Sequence, residues 1–378
     1  MDTYQKHFEE ATGDKFRPGN SVKLFQNGSE IFPAMLEAIR GAQSSIEFAT
    51  YVYWRSRIAS EFADALCERA RAGVKVRLLV DAIGGAIMST RTVGQLERAG
   101  VRVAWFRPLR FGHLRGFNNR THRKILVIDG RTSFTGGVGI ADQWDGDAQS
   151  IEHWRETHCR IVGPASIDLH AGFAANWFEA TKEQILAPVP PDEAGKVAVL
   201  TTSSKVGTRP TAMEQLFSAA ITGASTRLWI TTAYFVPNQQ LTRDLAGASR
   251  RGVDVRIITN GRQTNHKFTR WAGQANYEYL IAAGVKIYEY QRTILHAKLI
   301  TVDRSWATIG SANFDNRSLV LNDELNVSMA DPMIVEQLDM QFWKDIKHSS
   351  HIGIAQWQKR PWTHSLAIAG SRVFSDQL

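Results

Sequence analysis

Cysteine and long apolar runs are both scarce in this chain of 378 residues. The two cysteines, Cys67 and Cys159, have no metal-ligand spacing and lie in apolar surroundings. We interpret them as reduced core residues, which fits a reducing compartment. The N-terminus has no apolar signal segment, and no run approaches the ~18 apolar residues of a membrane-spanning helix. We therefore expect a cytoplasmic protein whose contact with a membrane is peripheral.

Acidic residues are outnumbered by basic ones, since 45 lysines and arginines face 37 aspartates and glutamates. The net charge of +8 and the pI near 9.5 favour anionic partners such as phospholipid headgroups, nucleic acid or other phosphates. Apolar residues make up 43% of the chain, which is enough for a large buried core. The length alone suggests two or three domains.

Short apolar strands alternate with amphipathic helices in the first hundred residues. A helix predicted over residues 31–40 precedes a strand over 45–52, and a helix over 60–72 precedes a strand over 74–80. Glycines punctuate the ends of these helices. The alternation predicts an α/β layered fold in which most of the sheet is covered.

The second half of the chain repeats the first. Residues 41–46 correspond to 223–228, and residues 72–77 correspond to 251–256. The protein is therefore an internal duplication, and the proline-dense stretch 188–195 is the predicted linker. We divide the chain into an N-terminal extension, a first domain, the linker and a second domain with a C-terminal tail: 1–20, 21–187, 188–195 and 196–378.

One polar motif occurs in both halves. His122 and Lys124 stand two residues apart, as do His296 and Lys298, so on a β-strand the two side chains of each pair share a face. Two such matches on similar apolar strands are hard to assign to chance. An aspartate and a glycine-containing pair follow at equal spacing in each copy, namely Asp129 with Gly136 and Gly137, and Asp303 with Gly310 and Ser311.

If the halves pack with pseudo-twofold symmetry, the two motifs surround one phosphate. The lysines can neutralise phosphoryl oxygens during an in-line displacement. One histidine can attack phosphorus while the other protonates the leaving alkoxide and then deprotonates the incoming hydroxyl. This scheme predicts no metal and no cofactor. Asp129 and Asp303 are kept as catalytic candidates, although a turn residue that binds backbone amides is the simpler interpretation.

The duplicated order His-x-Lys-(x4)-Asp-(x6)-Gly-Gly or Gly-Ser resembles the phospholipase D superfamily. More narrowly, the chain is similar to bacterial cardiolipin synthases of phospholipase D type, in the form without N-terminal transmembrane helices. The resemblance extends over about residues 20–365 and includes stretches such as 154–158 and 322–324. It implies two tandem phospholipase D-like α/β/α sandwich domains that are related by pseudo-twofold symmetry and share one active site.

The resemblance also implies a ping-pong phosphatidyl transfer. One phosphatidylglycerol gives its phosphatidyl group to a histidine, and a second accepts it, which yields cardiolipin and glycerol. By analogy His122 is the nucleophile and His296 the acid and base, while the pseudo-symmetry leaves the order open. Glu156 and Glu324 match positions that orient the histidines in relatives. The substrate-binding candidates are Asn313, Ser311, Gly136, Gly137 and Gly310.

Other interpretations remain open at this point. Gly139 stands where many relatives have asparagine, so a side-chain donor is missing from the first copy. The first half also carries a ten-residue excess within 107–120, which is basic and aromatic. It suits a solvated loop, a rim over an anionic lipid surface, or single-stranded nucleic acid. The stretch 356–362 combines tryptophans with basic residues, as in a packed tail or a lipid interface.

The alternatives to a synthase are a phospholipase D hydrolase, a phosphodiesterase acting on nucleic acid, and a non-catalytic basic protein that binds membranes. We expect phosphatidylglycerol and an anionic membrane surface as partners and nucleic acid as the less favoured one. The acidic turn 142–147 is a poor calcium site because it lacks the twelve-residue loop with a terminal glutamate.

Overall fold

The helices and strands alternate along most of the chain. The computed structural model describes residues 3–108, 118–204 and 210–371. Its helices are α1 (Thr3–Thr12), α2 (Asn27–Gly41), α3 (Arg57–Arg71), α4 (Thr90–Arg98), α5 (Ser166–Thr181), α6 (Ala212–Gly223), α7 (Gln239–Arg250), α8 (Lys267–Gln274), α9 (Tyr277–Ala282), α10 (Pro332–Lys347), α11 (Ile354–Gln358) and α12 (Trp362–Ser371). Within these ranges, every helix is too short or too polar to cross a membrane.

The strands are short, as expected for an α/β protein. They are β1 (Arg17–Gln26), β2 (Ser45–Thr50), β3 (Lys75–Asp81), β4 (Arg102–Phe106), β5 (Ile125–Ile128), β6 (Thr132–Gly136), β7 (Thr157–Val162), β8 (Val197–Ser203), β9 (Arg227–Thr231), β10 (Phe235–Val236), β11 (Asp254–Asn260), β12 (Lys286–Tyr290), β13 (Leu299–Val302), β14 (Trp306–Gly310), β15 (Phe314–Asp315), β16 (Leu325–Met329) and β17 (Ser349–His351).

One mixed sheet of 15 strands passes through both halves, in the order β17-β12-β11-β9-β13-β14-β16-β8-β1-β7-β6-β5-β2-β3-β4. The halves meet where β1 pairs antiparallel with β8. Outward from this pair, β7, β6, β5, β2, β3 and β4 match β16, β14, β13, β9, β11 and β12 in turn. The predicted α/β fold with two similar halves is confirmed.

Helices cover both faces of the sheet, which explains why the strands are nearly continuous apolar runs. On one face, α2 and α3 form a core with the first half of the sheet, and α6 and α7 form another with the second half. On the opposite face, α5 and α10 contribute to a single core that contains residues of both halves, including Phe173, Trp177, Leu338 and Phe342. The sheet and this core join the halves into one body.

Local sequence signals set the ends of several elements. The helix predicted over 60–72 is α3, and it begins earlier because Ser56 Oγ accepts a hydrogen bond from the Ala59 amide at 3.2 Å. The predicted linker lies in a stretch, 182–196, that has neither helix nor strand.

Near the N-terminus, α1 packs on the second half, where Phe8 stacks on Trp306 with ring centroids 3.9 Å apart.

Candidate active site

The two histidine and lysine pairs lie on equivalent segments. His122 and Lys124 precede β5, and His296 and Lys298 precede β13. Lys124 Nζ donates to the His122 carbonyl at 2.8 Å. Lys298 Nζ lies 3.0 Å from His296 Nδ1 and also donates to the His296 carbonyl. Because both histidines line one cleft, the structure brings the two predicted half-sites together.

Each histidine is held by a carboxylate from the other half of the molecule. His122 Nδ1 lies 2.9 Å from Glu324 Oε1, and His296 Nδ1 lies 2.8 Å from Glu156 Oε2. Both carboxylates are completely buried. Engaging Nδ1 fixes the orientation of the ring and leaves Nε2 for chemistry at phosphorus. The site is therefore built crosswise.

Short backbone bridges between the halves deliver these carboxylates. The His122 amide donates to the Asp323 carbonyl at 2.9 Å, and the His296 amide donates to the Arg155 carbonyl at 2.7 Å. Asp323 directly precedes Glu324, just as Arg155 directly precedes Glu156. Each bridge therefore places a glutamate beside the histidine of the opposite motif.

Burial controls the protonation state of the first pair. It lowers the pKa of His122 to about 4, although the Glu324 carboxylate opposes the shift. It also lowers the pKa of Lys124 to about 7. Burial alone would raise the pKa of Glu324, but His122, Lys124 and Ser311 outweigh it and keep that pKa below its ordinary value. At neutral pH His122 is thus a neutral imidazole beside a charged carboxylate.

The second half-site differs from the first in the pKa of its glutamate. Burial raises the pKa of Glu156 to about 7, with Lys298 acting in the opposite direction. Burial and the charges of the two lysines hold the pKa of His296 well below its ordinary value. The pKa of Lys298 falls to about 8, again because of burial. The two half-sites are therefore electrostatically unequal.

The cleft has a volume of about 690 Å³, and aromatic side chains form much of its wall. Tyr51 meets His122 edge-on with ring centroids 5.2 Å apart. Trp144 and Trp154 lie 5.2 and 5.4 Å from the His296 ring. Sequence reasoning did not identify these aromatic residues as lining a site. The available signal was the position of Trp154, two residues before Glu156.

Ser311 and Asn313 have different positions. Ser311 Oγ donates to Glu324 Oε2 at 2.5 Å, so it supports the carboxylate that orients His122. Asn313 lines the cleft, and its buried Oδ1 has no hydrogen-bond partner in the described part of the chain. Of the two predicted phosphate ligands, Asn313 is the one that lies on the cleft wall.

The predicted glycines admit buried polar groups. A Cβ on Gly137 would collide with the Glu156 carboxylate, and one on Gly310 would collide with the side-chain amide of Asn326. Gly136 has a φ of 155° and lies against His158. Glycine at position 137 thus makes room for the group that orients His296.

Gly139 has a steric explanation. A Cβ at this position would lie 2.8 Å from Val52 Cβ and 2.9 Å from the Trp144 ring. Both distances are shorter than side chains tolerate. Val52 and the Trp144 indole therefore leave no room for a side chain at position 139, which corresponds to Asn313 in the second motif.

Asp129 and Asp303 lie apart from the histidines, because they follow β5 and β13 whereas the histidines precede these strands. About 13 Å of strand separates Asp129 from the histidine end of β5. Each carboxylate instead accepts hydrogen bonds from three successive backbone amides at 2.6 to 2.9 Å, those of residues 43–45 for Asp129 and of 225–227 for Asp303. These contacts fit the interpretation of both aspartates as turn residues that bind backbone amides.

Two other sequence features have structural explanations or fall outside the described ranges. Asp142 in the acidic turn accepts from the Ile58 amide at 2.9 Å, so it caps α3. In residues 3–108, 118–204 and 210–371, no three acidic, histidine or cysteine side chains form a metal-binding group. Most of the basic insertion, residues 109–117, lies outside the described part of the chain.

Two crossed His-x-Lys half-sites on a duplicated α/β fold define a phosphodiester-processing protein of phospholipase D type. The family described as cardiolipin synthase, phospholipase D-like domain, matches residues 35–172 and 217–346. The chain belongs to this family.

Relatives match almost the whole chain. The chain is 32% identical over 367 residues to a probable cardiolipin synthase of Bacillus subtilis. The aligned region covers 95% of this chain and 72% of that protein. The chain is 35% identical over 365 residues to a cardiolipin synthase of Geobacillus kaustophilus, with the same coverage. The phosphatidylserine synthase of Haemophilus influenzae is 13% identical and covers all of both chains with a TM-score of 0.74, which shows the fold alone.

Proposed function

We propose that this protein is a cardiolipin synthase, which transfers the phosphatidyl group of one phosphatidylglycerol to another and releases glycerol. The observation that carries this proposal is the crossed pair of histidines and buried glutamates at one cleft. The two relatives that match 95% of the chain are named a probable cardiolipin synthase and a cardiolipin synthase, which supports a phospholipid as the substrate. Phosphatidylglycerol meets the chemistry of the site because it supplies both a phosphodiester and an acceptor hydroxyl.

In the first step, neutral His122 attacks phosphorus through Nε2. The bond from phosphorus to the glycerol headgroup oxygen breaks, and His296 donates a proton to that oxygen so that glycerol leaves. The anionic substrate raises the pKa values of both lysines and of His296, because opposite charges favour the protonated forms. Lys124 and Lys298 then stabilise the charge on the phosphoryl oxygens.

In the second step, a glycerol hydroxyl of another phosphatidylglycerol enters the cleft. His296 takes the hydroxyl proton, the oxygen attacks phosphorus, and the bond between phosphorus and His122 breaks. Cardiolipin is released and both histidines return to their starting states. The charged Glu324 favours His122 as the nucleophile, since it orients the ring and stabilises its covalent, positively charged form.

We infer that the protein works at the surface of an anionic membrane on the cytoplasmic side. The net charge of +8 supports this inference, because anionic lipids attract basic proteins to the bilayer surface. Peripheral attachment would place the cleft within reach of the headgroups of its substrates.

Product analysis tests the proposal directly. Purified protein is given vesicles of mixed phospholipids with a chelator present, and products are identified by mass spectrometry. We expect cardiolipin and glycerol in equal amounts from phosphatidylglycerol, and loss of both products in His296→Ala. His351→Ala, which alters an exposed histidine on β17, is the matched control. Phosphatidic acid without cardiolipin would contradict transfer, and nicking of DNA with unchanged lipid would point to a nuclease.

A further inference from the structure

A second cavity lies outside the catalytic cleft and is larger, at about 820 Å³. It opens between α8, the end of β12 and the C-terminal helices α11 and α12. Its wall carries four cationic side chains, those of Arg262, Arg270, Lys359 and Arg360. We call these residues the basic cluster.

The carboxylate in this wall is already neutralised. Glu289 accepts hydrogen bonds from Arg270 and Gln274, each at 2.7 Å. Across the described residues, neither Arg262 nor Lys359 has an acidic partner. The Nε atoms of Arg270 and Arg360 are buried, and within the same ranges they have no hydrogen-bond acceptor. Arg360 also lies 3.9 Å from Glu278. Arg262 and Lys359 are therefore the two cations of the basic cluster that are available to an anion.

An uncharged helix borders the basic cluster. The ten residues of α12, WTHSLAIAGS, include no aspartate, glutamate, lysine or arginine. Trp362 and Leu366 stand four residues apart on one face and are 73% and 60% exposed. The other side of the helix is packed, because Ile368 is buried and His364 Nε2 lies 2.8 Å from the Gln274 amide oxygen of α8. The exposed face therefore has an apolar side chain on each of two successive turns.

The basic cluster lies next to the catalytic cleft. Arg262 belongs to the segment 261–266 between β11 and α8, and Asn265 and His266 of the same segment line the cleft. This one segment therefore connects the basic cluster to the wall of the catalytic cleft.

We propose that the basic cluster binds the phosphate of an anionic phospholipid while Trp362 and Leu366 enter the membrane interface. Tryptophan prefers this interface because its ring is apolar and its N–H remains hydrated. Lysine and arginine beside an apolar helix face are attracted to anionic lipid. The proposal deepens the proposed membrane association by locating it, and it is separate from the proposed reaction.

Vesicle sedimentation tests the charge contribution. The full chain is mixed with vesicles of phosphatidylcholine alone, or of equal parts phosphatidylcholine and phosphatidylserine. Replacing Arg262 and Lys359 together by glutamine should weaken partitioning onto the anionic vesicles by roughly tenfold to thirtyfold. The two losses multiply, because each cation separately attracts the protein to the anionic surface. The matched control replaces Arg91 and Arg98 of α4, which removes the same charge elsewhere and should leave binding unchanged.

A second double variant and its control test the apolar contribution to vesicle binding. Trp362→Ser with Leu366→Ser should lower partitioning several-fold. Met333→Ser with Met340→Ser on α10, where the side chains are 70% and 54% exposed, should not. Denaturant unfolding checks that each variant remains folded.

Several outcomes would overturn the proposal. Equal loss of binding in the basic-cluster and control variants would mean that net charge alone attracts the protein. Loss of inorganic phosphate binding in calorimetry with unchanged vesicle binding would make the cavity a site for a soluble anion. A change of oligomeric state in the Trp362 variant with unchanged vesicle binding would make the face a contact between copies. Sedimentation needs no turnover, so failure here is distinguishable from failure of the synthase activity.

Discussion

At the scale of single residues, the crossed histidine and glutamate contacts make the two halves interdependent. The partners of His122 and His296 lie 202 and 140 positions away along the chain. Each motif supplies a reacting group, but the opposite half supplies the group that orients it. Neither motif is therefore a complete half-site by itself.

Replacing Glu324 by glutamine should lower kcat by about 10²- to 10⁴-fold, as happens when an orienting carboxylate is removed from a catalytic histidine. The amide no longer stabilises the charged His122 that forms during transfer. Steady-state kinetics on phosphatidylglycerol vesicles measures the effect. Glu47→Gln is the matched control, because Glu47 contacts His170 at 2.6 Å in a buried pair outside the cleft. Comparable losses in both variants would contradict an orienting role for Glu324.

The reactive residues could be read from the sequence because their spacing on a strand is a local property. His122 and Lys124 share a face wherever the strand lies, and the same holds for the second pair. The crossed partnership depends on how the halves pack, which no local spacing encodes. The steric requirement at Gly137 was hidden for the same reason, since the Glu156 carboxylate reaches it from the segment before β7.

At the scale of elements, Asp129 and Asp303 fix the corners of the sheet. Asp129 joins the end of β5 to the start of β2, and Asp303 joins the end of β13 to the start of β9. Hydrogen bonding of Asp303 to Tyr4 and to backbone amides holds its pKa well below the ordinary value, although burial acts in the opposite direction. These contacts position the strands that carry the histidines.

Asp303→Ala should destabilise the fold by about 1–3 kcal/mol, the usual cost of losing hydrogen bonds to a charged group. Because the pKa of Asp303 is lower when folded than when unfolded, its contribution is complete above the unfolded pKa of about 4. It declines as the pH falls below that value. Urea unfolding between neutral and acidic pH measures both effects, with Asp192→Ala in the exposed linker as control. Lost turnover without lost stability would return Asp303 to the catalytic residues.

The periodic elements were predictable because apolar spacing reports burial directly. The strand expected over 74–80 is β3, displaced by one residue, and the helix expected over 31–40 begins four residues earlier as α2. Elements formed by non-local contacts gave no such signal. The pairing of β10 with β15 joins two-residue strands nearly eighty positions apart, which periodicity cannot detect.

At the scale of the whole molecule, the two duplicated halves form one continuous structure. Sequence comparison separated two similar units, and both exist. It gave no indication that β1 and β8 would pair at the boundary. The side chains of a strand alternate between the two faces of a sheet in the same way whichever strand lies beside it. The core beneath α5 and α10 also draws residues from both units. The two halves are therefore joined by paired strands and by a shared core as well as by the chain itself.

We propose that 188–195 is a linker that connects the two halves but does not hold them together. Cutting the chain beside it tests this proposal. Leu186 and Val189 are 88% and 87% exposed, so a protease recognition sequence fits between them. We expect the nicked protein to elute as one species in gel filtration, to retain turnover, and to unfold in a single calorimetric transition. The paired strands, the shared core and the crossed glutamates all remain after cleavage. Separation of the fragments, or two transitions in the intact chain, would show that the linker rather than the interface holds the halves together.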